Sequence, residues 1–134
     1  MKDSRTCKSC GITQDKELFP VANTRGKNIW YRHHCKPCYY KKQGRNRLRN
    51  RKWLHNFKQN LECEKCGYSK KTHPASFRVQ ALQFHHHEEN KRLAVSDLTH
   101  RGFALETIRE EINKCVVLCS RCHIEEHYPN KESF

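Results

Sequence analysis

The chain has 134 residues, 35% of them hydrophobic and 31% charged, which is a thin supply for one large apolar core. Its formal net charge of +13 and its nine cysteines point instead to small modules held by metal ions and to a polyanionic partner. No stretch approaches the ~20 apolar residues of a membrane span, and the opening MKDSRTCKSC has no apolar leader, so a cytoplasmic protein in a reducing compartment is expected.

The charge is unevenly placed. Residues 1–61 hold 16 Lys and Arg against 3 Asp and Glu, whereas residues 62–134 hold 11 of each. The whole excess sits in the first half, and nucleic acid is the simplest partner for it.

In chain order, residues 1–40 read as a first module. Two CxxC knuckles, Cys7/Cys10 and Cys35/Cys38, enclose a 24-residue insert. Within it NTRGKN is a turn, and Phe19, Ile29, Trp30 and Tyr31 are available to cover a metal site. Residues 41–60 form a basic connector. A helix is expected from about Tyr39 to Asn60, because the segment lacks proline and Leu54, Phe57 and Leu61 recur at helical spacing; Gly44 is its weak point. Between Lys41 and Lys58 lie eight Lys or Arg and no acid, a run that repels itself unless phosphates neutralise it. Lys41, Lys42, Arg45, Arg47, Arg49, Arg51 and Lys52 are therefore the candidate DNA contacts.

Residues 61–134 form the third part. It opens on the knuckle CEKCG, with Cys63 and Cys66. Residues 76–84 look like a strand that changes phase near Ala81, through a bulge or as two short strands, and run into His85, His86 and His87. Neighbouring side chains on a strand face opposite ways, so His85 and His86 are expected to diverge, His86 sharing the face of Leu82 and Phe84. Residues 104–113 read as a short amphipathic helix, CVVLC as a buried β-segment with Cys115 a buried thiol, and SRCHIEEHYP as a helix stopped by Pro129.

Eight of the nine cysteines fall into four CxxC pairs, and two knuckles complete a tetrahedral zinc site. Pairing in sequence order joins Cys7, Cys10, Cys35 and Cys38 in one structural site and Cys63, Cys66, Cys119 and Cys122 in another. A separate set is formed by His123 and His127, four apart on one helical face, with the histidine run at the strand end as the source of a third ligand. Three imidazoles with open positions describe a catalytic metal site rather than a closed one.

The knuckle CEKCG, the stretch LQFHH and the segment CVVLCSRCHIEEH, in this order over about Leu61 to Tyr128, resemble the HNH or ββα-metal nucleases. The first module resembles the treble-clef-like zinc module with a basic helix that precedes such nucleases in phage and bacterial proteins. The resemblance implies a small zinc-stabilised α+β protein with a C-terminal endonuclease domain acting on double-stranded DNA. A homing-type role in a bacterial cell or a phage-infected host goes with it.

By the same resemblance His86 is the general base, and His85, His123 and His127 hold a catalytic divalent metal. A shift by one residue, with His86 as ligand and His87 as base, stays open at this point. The family's base-orienting Asn falls at Lys114 here, with Asn113 beside it; Asn113 or a backbone carbonyl is the candidate orienter. Imidazole ligands suit Mn²⁺, Ni²⁺, Co²⁺ or Zn²⁺ better than Mg²⁺, which can act through waters. The rival reading is a non-catalytic zinc-dependent DNA- or RNA-binding regulator. It explains the charge and the eight cysteines but not the four histidines together.

Overall fold

The computed structural model describes residues 3–87 and 90–130. The chain divides into two compact units, residues 1–46 and 47–134, and among the described residues no helix is long and apolar enough to cross a membrane. The protein is small and α+β, with two cysteine quartets that could hold metal ions and a basic helix.

In the first unit β1 (Ser4–Thr6) pairs antiparallel with β2 (Thr13–Asp15). The knuckle between them closes through Gly11 N–H to Cys7 O, 2.9 Å, with Gly11 at φ 71°, a conformation that glycine adopts without a Cβ penalty. A short 3₁₀ turn, Lys16–Leu18, is capped by Asp15, whose carboxylate accepts from Glu17 N–H at 3.1 Å. Next comes a ribbon of β3 (Val21–Arg25) and β4 (Asn28–Tyr31), turning at Gly26 within the expected NTRGKN turn. The core here is Cys7, Phe19 and Cys35, with Tyr31 and Cys38 packed on it. Phe19 and Tyr31 thus cover the cysteines as expected. Ile29 and Trp30 do not: they are 50% and 48% exposed, because the ribbon extends beyond the small core.

Helix α1 (Lys36–Lys58) starts directly after Cys35 and runs through Gly44 without a break. It belongs to the first unit as far as Asn46 and to the second from Arg47 onward. The division between the two units therefore falls inside the expected 41–60 connector. The reason is packing: Asn50 is fully buried, and Trp53 and Leu54 join the apolar cluster of the second unit.

That unit is built on an antiparallel hairpin of β5 (Leu82–His86) and β6 (Cys115–Cys119), in register Leu82↔Cys119 through His86↔Cys115. Between them come α2 (Val95–His100) and α3 (Leu105–Ile112), and α4 (Ser120–His127) follows β6 directly. The expected strand over residues 76–84 is shorter than its pattern suggests. Val79–Ala81 is a 3₁₀ turn, and β5 begins only at Leu82. Val79 and Leu82 are both buried, and a 3₁₀ turn brings residues three apart to one side, which is the phase change seen in the sequence.

Two apolar clusters flank the hairpin. One holds Cys63, Phe77, Val79, Leu82, Leu118, Cys119 and Cys122. The other holds Val95, Leu98, Ile108 and Ile112, with Trp53, Leu54, Phe84 and Cys115 against it. Cys115 is half-buried; burial pushes its thiol up to about 11, and its Sγ–H donates to Glu111 O at 3.3 Å.

Candidate metal centres

Both cysteine quartets assemble as paired in sequence order, Cys7, Cys10, Cys35 and Cys38 in one and Cys63, Cys66, Cys119 and Cys122 in the other. In each, all ligand atoms lie within 4.8 Å of one another. Four thiolates around one zinc at ~2.3 Å stand about 3.8 Å apart. Cys10 and Cys35 Sγ are 3.9 Å apart, and Cys66 and Cys119 Sγ 3.7 Å, so the donor sets fit a tetrahedral ion such as zinc.

Backbone amides point at the sulfurs. Ser9 N–H and Cys35 N–H donate to Cys7 Sγ at 3.4 and 3.3 Å, and Cys122 N–H donates to Cys119 Sγ at 3.5 Å. The amides around Cys7, that of Cys10 foremost, bring its thiol down to about 5. A partner in each quartet resists ionisation. The bond to Cys35 pushes Cys38 up to about 12, and burial pushes Cys122 up to about 12. Four thiols in one pocket cannot all carry charge unaided, and a divalent cation removes that conflict.

The third cluster is His85, His123 and His127, whose nearest nitrogens likewise lie within 4.8 Å of one another. His85 comes from β5. His123 and His127 stand one turn apart on α4, where Cys122 anchors the helix to the second quartet. The His123 and His127 Nε2 atoms are 3.1 Å apart, close to the ~3.3 Å between imidazole nitrogens on one zinc. His123 donates its Nδ1–H to Gln83 Oε1, which leaves Nε2 as its bare lone pair. Gln83 is held in turn by Ser120, and Ser120 donates to Ala81 O at 3.2 Å. Burial, then the neighbouring imidazoles, lower the pKa of His123; burial and His127 do the same for His85. Neutral imidazole is the ligating form.

The His86 side chain alternates to the other face of β5 and is not part of this cluster, although it borders the same cleft. Its Nε2–H donates to Glu111 Oε1 at 2.8 Å. The same oxygen accepts from Arg92 N–H at 2.9 Å, and Oε2 accepts from Lys114 at 3.0 Å. Glu111 is 1% exposed. Burial alone pushes its carboxyl up, but the bonds from Lys114, the Arg92 amide and His86 together hold it below the usual carboxylate range. The group that orients His86 is thus Glu111. Asn113 is exposed at the end of α3, whereas the partner that the described residues give His86 Nε2 is the Glu111 carboxylate. His87 is exposed, and His85 rather than His86 joins the histidine cluster, so the register shifted by one residue is not the one assembled.

A cleft of about 760 Å³ opens on the histidines and is bordered by Lys58 and Lys91. Lys58 donates to Leu82 O at 2.8 Å and lies 5.3 Å from the centre of the Phe84 ring; burial lowers its pKa. Among the basic candidates, Lys41, Lys42 and Arg45 are exposed, as are Arg51 and Lys52, which line a neighbouring groove. Arg47 and Arg49 are engaged in the fold, donating to His100 O at 2.9 Å and to Phe103 O at 3.2 Å.

Sequence reasoning missed Glu111, Gln83, Lys58 and Asn50. Two of them had a signal: Glu111 stands in the apolar stripe of Ile108 and Ile112, and Asn50 stands three and four residues before Trp53 and Leu54. No known protein family, curated protein or solved structure matches this chain.

Proposed function

We propose that the protein is a metal-dependent endonuclease of the HNH type, hydrolysing phosphodiester bonds of double-stranded DNA. One observation carries the reading: three imidazoles converge on one point while the next residue of the same strand, His86, faces the other way on a buried carboxylate. A structural zinc site has no use for that fourth, separately held imidazole.

With Nε2–H given to Glu111, His86 keeps Nδ1 as a lone pair that can take a proton from water. Glu111 fixes the tautomer and stabilises the imidazolium that results. A divalent ion held by His85, His123 and His127 would supply charge for the phosphoryl oxygen and the departing 3′ oxygen. Lys58 and Lys91 give the cleft the sign that attracts a phosphate backbone. The products are 5′-phosphate and 3′-hydroxyl ends.

The test is incubation with supercoiled plasmid and a series of divalent metals. Wild-type protein nicks or linearises the plasmid, and His86→Ala lowers the rate by roughly 10²–10⁴-fold, the usual share of general-base catalysis. Zinc content and DNA binding stay unchanged. Absence of cleavage with every metal, alongside tight DNA binding, would leave the non-catalytic regulator as the correct reading.

A further inference from the structure

We infer that the β3–β4 ribbon is a nucleic-acid reading element, which enters the major groove of a duplex with Trp30, Asn28 and Arg25 toward the base edges. This rests on the reading of the chain as a DNA-acting protein but not on cleavage, since it involves the first unit alone.

The ribbon is free of the core that it borders. Every residue of β3 is exposed, and Ile29 and Trp30 remain half exposed while Phe19 and Tyr31 close over the cysteines. The register sorts its side chains. Trp30 pairs with Asn23 and Asn28 with Arg25, whereas Ile29 and Tyr31 alternate to the opposite face. Tyr31 packs on the cysteine core, so the face of Trp30, Asn28, Arg25 and Asn23 looks away from it.

That composition has a chemistry. Asn and Arg are the side chains that pair bidentately with adenine and guanine edges, and an apolar ring suits the thymine methyl. From Val21 to Tyr31 there is no carboxylate, while Arg25 and Lys27 stand at the turn. Lys16 and Lys27 border a shallow depression of about 390 Å³ beside Trp30; Lys16 is also paired with Asp3 at 3.0 Å. Two strands ~5 Å apart with their side chains fit a groove ~12 Å wide. A second copy of the ribbon is a poor occupant, because it brings the same positive charge and no carboxylate from Val21 to Tyr31 to pair with it.

The experiment uses the full chain carrying His86→Ala, with Trp53→Phe so that Trp30 is the sole indole, and a duplex selected from a random pool. Addition of this duplex should change the Trp30 emission. Trp30→Ala (read by labelled DNA) and Asn28→Ala should each lower the preference for the selected over a scrambled duplex by about tenfold. The salt dependence of affinity should not change, because neither side chain meets a phosphate. Zinc content of each variant verifies the fold.

Unchanged emission with unchanged preference overturns the proposal. So does a protein that shows no preference between duplexes, or a dimer that Trp30→Ala converts to monomer with DNA recognition intact. Loss of plasmid cleavage by the wild type with this preference retained would instead refute the nuclease reading and leave the ribbon standing.

Discussion

Glu111→Ala tests the arrangement around His86 most directly. The carboxylate is buried and accepts from three donors, two of them on one oxygen. Lys114, whose side chain is 30% exposed, can turn to water when its partner is removed, so its bond adds little. His86, whose side chain is 11% exposed, and the part-buried Arg92 amide are less free to do so, and each donor left unpaired costs about 1–2 kcal/mol. With the lost methylene the variant should be destabilised by about 3–4 kcal/mol. Glu111→Gln keeps its volume and can keep Oε1 where both of these donors point, so it should lose only charge assistance, about 1–2 kcal/mol. The assay is urea unfolding of zinc-loaded protein at pH 7, followed by Trp53 emission in a Trp30→Phe background. Trp53 packs on the cluster that holds Ile108 and Ile112, so it reports on this unit.

The pH dependence has a definite sign. The folded pKa of Glu111 is depressed, so its stabilisation is fully present above the unfolded value of ~4.3 and is lost as pH falls through the folded one. The gap between wild type and Glu111→Gln should therefore not narrow between pH 8 and about 5.5. A cost below about 1 kcal/mol for Glu111→Ala, or a gap that narrows within that range, would refute the ionised carboxylate as the holder of His86.

Other expectations follow from the same packing. Asn50→Ala should cost about 2–3 kcal/mol, because the buried amide donates to Phe103 O at 2.9 Å and accepts twice from Arg49; thermal or urea unfolding checks it. Elemental analysis should find about two tightly held zinc ions per chain, with Cys119→Ser unfolding the second unit by near-ultraviolet dichroism. Removal of residues 1–46 should leave a folded second unit whose DNA affinity is weaker and less salt-dependent in a titration. Removal of residues 1–60 should unfold that unit, because Asn50, Trp53 and Leu54 go with it.

The legible parts of this chain are those whose partners lie close in sequence or whose chemistry is rare. Four CxxC pairs have few other uses, and His123 with His127 declares a helical face without reference to anything else. The strand alternation separated His85 from His86 for the same reason. Glu111 lies 25 residues from His86, and nothing local distinguishes its carboxylate from those of Glu106 or Glu110 except its place in an apolar stripe. Asn50 hides within a cationic run that reads as wholly solvated. Ile29 and Trp30 mislead in the other direction: apolar residues near a small metal core look like its cover, yet the core closes with Phe19 and Tyr31 alone. How many apolar residues a core accepts depends on its size in three dimensions, which spacing does not reveal.

The second quartet also imposes an order in time. Cys66 and Cys119 are 53 positions apart, and an ion held by them with Cys63 and Cys122 would close the whole intervening loop. Closing so long a loop opposes folding entropically, and metal ligation offsets that cost. His85 lies inside the loop, and His123 follows its last ligand by one residue. The ribosome must therefore release Cys122 before the loop can shut, and the three imidazoles meet only afterwards. If the quartet holds zinc, its supply during synthesis then sets how many chains ever possess a histidine cluster.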